Sequence, residues 1–120
     1  MNNDDVQILI VDDENSIADM IADALRDEGY DILVAYDGRR GLELARNYRP
    51  SLILSDVMMP FMDGLKMAEL LNHELGGDTP PLVFMSAVDC RNQTQAYGTF
   101  LFKPFTLETL FDTIESILSD

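Results

Sequence analysis

Residues 52–64 read LILSDVMMPFMDG. Three apolar residues run into an acid, Asp56, then two methionines, a proline and a second acid ahead of Gly64. A carboxylate at the mouth of an apolar strand loses hydration, so it needs a charge partner or a ligand. Working outward, residues 52–55 are the third of five short apolar runs. The others are VQILIV at 6–11, DILVA at 31–35, PLVFMS at 81–86 and TFLF at 99–102. Amphipathic stretches alternate with them. NSIADMIADALRDEG has Ile17, Met20, Ile21, Ala24 and Leu25 at helical spacing and Gly29 as its stop. RRGLELARNY ends at Pro50, and LKMAELLNHEL ends at Gly76. TLETLFDTIESIL sets Leu107, Leu110, Phe111, Ile114 and Ile117 on one face. Strands this uniformly apolar are covered on both faces, which requires a parallel sheet between helix layers. The expected fold is a doubly wound five-stranded α/β domain occupying residues 1–120 as one unit.

Ligands of such folds sit beyond the carboxyl ends of the strands. There the sequence places Asp12, Asp13 and Glu14 after strand one, Asp56 after strand three, Ser86 and Ala87 after strand four, and Lys103 and Pro104 after strand five. Taken singly, an acid after a strand complements the dipole of the next helix, and a lysine is a solvated charge. Taken together, three carboxylates, a hydroxyl and an amine converge on one edge. Two carboxylates ~4 Å apart repel by roughly 4 kcal/mol at an effective dielectric near 20. One lysine leaves that repulsion partly uncompensated, and an all-oxygen donor set favours Mg²⁺ (or Mn²⁺) over zinc. A carboxylate beside such a cation, facing an ammonium and a hydroxyl, is equipped to attack phosphorus and carry the product as an acyl phosphate.

Composition bounds the partners. The formal net charge is −14, from 22 acids against 8 lysines and arginines. That balance disfavours direct contact with nucleic acid or an anionic membrane surface. No apolar run approaches the ~20 residues needed to span a bilayer. MNNDDVQ lacks a signal peptide's basic region, and the single cysteine, Cys90, allows no intrachain disulfide. A cytoplasmic setting is expected. His73 reads as a surface histidine, Cys90 as a bystander in a polar segment, and the methionines as core and loop packing.

DDE after strand one, SDVMMPFMDG, SA after strand four and KPF after strand five together resemble the receiver domain of bacterial two-component response regulators. The resemblance covers essentially the whole chain. It implies a flavodoxin-like strand order 2-1-3-4-5 and a phosphoryl group taken from a histidine kinase or phosphotransfer protein. It also implies switching of an output protein or a fused effector domain, with no catalysis beyond the domain's own phosphorylation and dephosphorylation. On this resemblance Asp56 is the phosphoacceptor. Asp13, Asp56 and the backbone carbonyl of Met58 ligate Mg²⁺, and Asp12 acts through metal-bound water. Ser86 and Lys103 hold the phosphoryl oxygens. Pro104 follows a cis peptide bond, Pro60 and Gly64 shape the loop, and Phe100 is the aromatic switch. Met58 and Val88 occupy the two positions that border the path of the hydrolytic water in the family, and neither is polar.

One departure concerns length. Seventeen positions separate Ser86 from Lys103, short of the family by about one and a half helical turns of ~3.6 residues each. The expectation is a shortened or missing helix four, reduced to a single turn or a loop, with packing surface from Val88, Ala96 and Tyr97 only. Among rival readings, a haloacid-dehalogenase-type phosphatase would carry an acid two residues after its nucleophile, where this chain has Met58. A flavin-binding flavodoxin would carry a phosphate cradle where this chain has DDEN. A degenerate receiver used only as an interaction module is opposed by the intact set of Asp13, Asp56, Ser86 and Lys103.

Overall fold

The computed structural model describes residues 5–119. Most of the MNNDDVQ stretch read for targeting signals lies outside them. Five parallel strands, β1 (Gln7–Val11), β2 (Asp31–Ala35), β3 (Leu52–Asp56), β4 (Leu82–Ser86) and β5 (Gly98–Phe102), form one sheet in the order β2-β1-β3-β4-β5. The expected architecture and strand order are those observed. The helices are α1 (Asn15–Asp27), α2 (Gly38–Tyr48), α3 (Gly64–Leu75), α4 (Arg91–Thr94) and α5 (Leu107–Leu118). Among the described residues no helix is long and apolar enough to cross a membrane.

Strand side chains alternate between faces, so each apolar run feeds two cores. Ile8, Ile10, Leu52, Leu54, Val83 and Met85 pack with α1 and α5. Leu9, Val11, Ile53, Leu82 and Phe84 pack with α2 and α3 on the other face. Side-chain oxygens start three helices. Asp37 accepts from the Arg40 N–H, Asp63 from the Lys66 N–H, and Thr106 from the Thr109 N–H. Gly29 (φ 94°) and Gly76 (φ 54°) take the left-handed conformations that follow helix ends.

The seat of α1 differs in detail from the expected stripe. Ala18, Ile21, Ala22 and Leu25 are buried, while Met20 faces solvent. Two alanines on the inner face let this helix lie close to the sheet, and its buried stripe turns away from Met20. In α5 only Leu110 and Ile114 are fully buried, and Leu107 is exposed.

The β4–β5 crossover holds a single helical turn, α4, as the shortened spacing predicts. Its anchors are not all the expected ones. Of the expected three, Tyr97 is partly buried and packs against the core, but Val88 and Ala96 are exposed; Cys90 and Thr94 are buried instead, with Cys90 in the same core cluster as Phe84. The cysteine is therefore a packing residue, because one turn can turn only one side inward and Cys90 and Thr94 share it. Outside, Arg91 grips Asp89 through two side-chain bonds of 3.0 and 2.8 Å. Its guanidinium also sits 5.2 Å above the Phe102 ring. That ring meets Phe100 edge-on, with centroids 4.8 Å apart.

A lone turn has few internal hydrogen bonds to lose on opening. We expect amides at residues 91–97 to exchange at least about tenfold faster than those in the middle of α5. Hydrogen exchange read by mass spectrometry checks this. Equal protection would mean that Cys90 and Thr94 fix the turn as firmly as a full helix.

Candidate functional site

Parallel pairing brings the strand ends level. Val11 pairs with Ser55, Asp56 with Met85, and Ser86 with Phe102. Residues immediately beyond these pairs therefore meet at one edge. The Lys103 N–H donates to the Ser86 carbonyl at 2.9 Å, which sets the lysine beside β4 and turns it back over the sheet. Its ammonium lies 2.8 Å from Asp56 Oδ1 and 3.3 Å from Asp12 Oδ2. Asp12 is fully buried and Asp56 nearly so, while Asp13 is exposed. Carboxylate oxygens of Asp12, Asp13 and Asp56 lie within 4.8 Å of one another, a group that could hold a metal ion. The structure thus brings together four of the residues singled out from sequence.

The others are placed around them. Ser86 is buried, and its hydroxyl accepts the Val88 N–H at 3.0 Å. Met58 and Val88 are exposed on the loops that follow β3 and β4. The Lys103–Pro104 bond is cis. Phe100, half-buried, reaches the α2–α3 side of the core and meets Phe102 edge-on.

Sequence reading passed over Ser55, which is fully buried and donates from Oγ to the Asp56 carbonyl at 2.8 Å. It also left the role of Gly64 coarse. A Cβ there would stand 2.3 Å from the Asp56 carbonyl oxygen. The Gly64 N–H then donates to the Val57 carbonyl at 2.9 Å, closing the loop that starts at Asp56. The DG ahead of a helix signals a turn, but not the strand that the turn packs against. The Arg91–Phe102 contact also had no signal in the linear spacing.

Electrostatics sharpens the picture. Burial raises the Asp56 carboxyl to about 6, and the negative charge of Asp12 adds to that rise. The hydrogen bond from Lys103 opposes it without cancelling it. Burial works against the Lys103 charge, yet its hydrogen bond to Asp56 and the two carboxylates outweigh this and raise its pKa above the ordinary value. The ammonium is retained and the carboxylate is held under strain. A second cation would relieve that strain.

The native carboxyl binds its proton more tightly than the unfolded one, so ionised Asp56 costs stability at pH 7. That cost fades as pH falls through 6 towards 4. We expect Asp56→Asn, with divalent metal chelated, to be more stable than wild type at pH 7 by roughly 1–2 kcal/mol. The difference should shrink at pH 5. Urea denaturation at the two pH values checks it, and a difference that widens on acidification would contradict a raised Asp56.

Comparison with known proteins agrees with this geometry. Residues 8–115 match the model of the response regulator receiver domain. The chain is 34% identical over 118 residues to the response regulator MprA of Mycolicibacterium vanbaalenii, covering 94% of this chain and 50% of that protein. It is 33% identical over 120 residues to the probable transcriptional regulatory protein TcrX of Mycobacterium tuberculosis, covering 94% of this chain and 50% of that one. The chain thus spans about half the length of these relatives. Among solved structures, the chemotaxis protein CheY4 of Vibrio cholerae superposes with a TM-score of 0.86 at 32% identity, covering 94% of this chain and 98% of that one. The receiver domain of the hybrid histidine kinase CckA gives a TM-score of 0.79 at 33% identity, covering 93% and 98%.

Proposed function

The chain belongs to the family of response regulator receiver domains, the signalling modules of two-component systems, and on that footing we propose that Asp56 is its phosphoacceptor. The observation that carries the reading is Asp56 itself. It is a nearly buried carboxylate 2.8 Å from an ammonium and grouped with two further acids at the open edge of the sheet. An Asp56 oxygen attacks the phosphorus of a phosphohistidine on a partner kinase or phosphotransfer protein. The bond from phosphorus to the histidine nitrogen breaks, and a carboxyl–phosphate anhydride forms. Return to the resting state is the attack of water on that phosphorus, which releases phosphate and restores the carboxylate. In this reading the domain promotes only its own phosphorylation and dephosphorylation.

The donor set fits a hard divalent cation, since three carboxylates face one ammonium and every available donor is oxygen. Asp13, Asp56 and the Met58 carbonyl would hold Mg²⁺ or Mn²⁺ directly, and Asp12 through water. When bound, the ion offsets charge that builds on the transferring phosphoryl oxygens. Lys103 leaves its resting pair with Asp56 and takes a phosphoryl oxygen. The Ser86 hydroxyl, held by Val88 in the resting state, turns to another. Both movements act on β4 and β5, and Phe100 reports them to the outer face by changing its packing. A dehalogenase-type hydrolysis is disfavoured because Met58 stands where its general acid would be.

Relatives of twice this length include proteins named as transcriptional regulators. We read the present domain as the cytoplasmic input to an effector, fused or separate. The domain itself would not touch nucleic acid, given its net charge of −14.

With acetyl phosphate and Mg²⁺, intact-mass measurement should show one added phosphoryl group in wild type. It should show none in Asp56→Asn, and none when metal is chelated. Stoichiometric labelling of the Asn variant would remove Asp56 from its assigned role.

The exposed Met58 and Val88 offer no hydrogen bond to orient an attacking water. A Met58→Asn, Val88→Glu double variant should therefore lose its phosphoryl group several-fold faster than wild type, about 1 kcal/mol in barrier. Decay followed by mass at fixed intervals checks this, and an unchanged rate would free these positions from any part in dephosphorylation.

A further inference from the structure

Net charge hides a local inversion. Residues 38–49, GRRGLELARNYR, hold four of the eight cationic side chains and one acid, a local +3 on a chain of −14. Most of them line one side of a groove of about 820 Å³ between the start of α2 and the loop after β3. Arg39, Arg40 and Arg46 stand on the helix side with the acids Asp37 and Glu43, so the lining carries +1, and Pro60, Phe61 and Met62 form the loop side. The groove shares no residue with the crevice of Asp12, Asp13, Asp56, Ser86 and Lys103.

Phe61 is the unusual member. Its side chain is wholly exposed, and its φ of 68° lies in the left-handed region that phenylalanine rarely adopts. The Met62 N–H donates to the Pro60 carbonyl at 2.8 Å, so Phe61 is the middle of a three-residue turn of the strained hand. The neighbouring chain enforces this. Met62 packs its carbonyl where a Cβ of residue 38 would be, 2.4 Å away, and Gly38 leaves that space open. A fold that gains only its own stability from this loop would place glycine at 61. Instead the strained position leaves an aromatic ring wholly exposed on the groove that the arginines also line. Arg40 is paired with Glu43, and Arg46 with Glu74. Arg39 makes no ion pair among the described residues and is exposed.

We propose that this groove is a docking surface for a short acidic protein segment that carries an apolar side chain. The apolar wall of Leu42, Pro60, Phe61 and Met62 receives the side chain, and Arg39, which has no ion pair among the described residues, receives an acid first, with Arg40 and Arg46 exchanging their exposed partners for others. The surroundings decide between anionic partners. Outside residues 38–49 the chain carries a formal −17. At physiological salt a charge is felt over about 8 Å. A nucleic-acid duplex or an anionic bilayer extends well past the basic patch and meets that repulsion. A short segment ends before it.

The test is an NMR titration of the ¹⁵N-labelled chain with a synthetic peptide of about ten residues, rich in Asp and Glu and bearing one Phe. Shifts should concentrate at residues 38–46 and 60–62. Binding should weaken about tenfold with Phe61→Gly, with the Arg39→Glu, Arg40→Glu double variant, and with a peptide whose Phe is replaced by Ser. Phe61→Gly should also melt at a higher temperature, because glycine accepts the positive φ. Absence of shifts at millimolar peptide, shifts centred on the Asp56 crevice, or unchanged binding in the variants would overturn the proposal. So would a lower melting temperature of Phe61→Gly, which would give the ring a packing role. An oligodeoxynucleotide or phosphatidylglycerol vesicles that bind residues 38–46 more tightly than the peptide would overturn the choice of partner. The same variants should accept phosphoryl from acetyl phosphate as wild type does, so the groove and the phosphoacceptor assignment fail or stand separately.

Discussion

Lys103 holds two buried carboxylates at once, and the rest of the site is arranged around that fact. It lies 2.8 Å from Asp56 and 3.3 Å from Asp12, with Asp12 fully buried. One ammonium cannot neutralise two buried acids, so the edge of the sheet remains short of positive charge. The deficit shows in Asp56, pushed up to about 6 mainly by burial despite its salt bridge. A site in this condition favours a cation, and on the proposed reading a phosphoryl group on Asp56 would offer the lysine new oxygens.

That imbalance is tolerated because the backbone around it is tightly fixed. The Asp56 carbonyl is held by Ser55 from one side and approached by Gly64 from the other. The Val57 N–H donates to the Met85 carbonyl, so the loop leaves β3 in register with β4. In the proposed switch, movement falls to β4, β5 and the single turn between them. The contacts there include a hydroxyl held by one N–H, two aromatic rings at right angles, and an arginine shared between Asp89 and Phe102. A short α4 need not be a defect in such a design. It leaves Arg91, bonded to Asp89 and set over the Phe102 ring, on the outside of the crossover.

The surface divides in a comparable way. Overall acidity bounds what the domain can approach, and it does so at long range. Recognition at short range follows local sign and shape, and the arginine-bearing side of α2 with the exposed Phe61 has a character opposite to the chain average.

Much of this was legible in the linear sequence, because strands and helices here are set by local periodicity and the strand order places whatever follows each strand at one edge. The five apolar runs, the acids, serine and lysine behind them, and the shortened crossover were all readable without coordinates. Other features depended on groups far apart in sequence. Burial of Cys90 and Thr94, exposure of Met20, and the Ser55 and Gly64 contacts depend on which neighbour fills which space, and a helical wheel carries no such information. The raised Asp56 depends first on burial and then on Asp12, 44 positions earlier, against the opposing bond from Lys103, which itself reaches Asp12 across 91 positions. The sequence by itself determined the elements and which chemical groups could meet. Only the tertiary structure decided distances and desolvation, because burial and Coulomb energies are set through space and not along the chain.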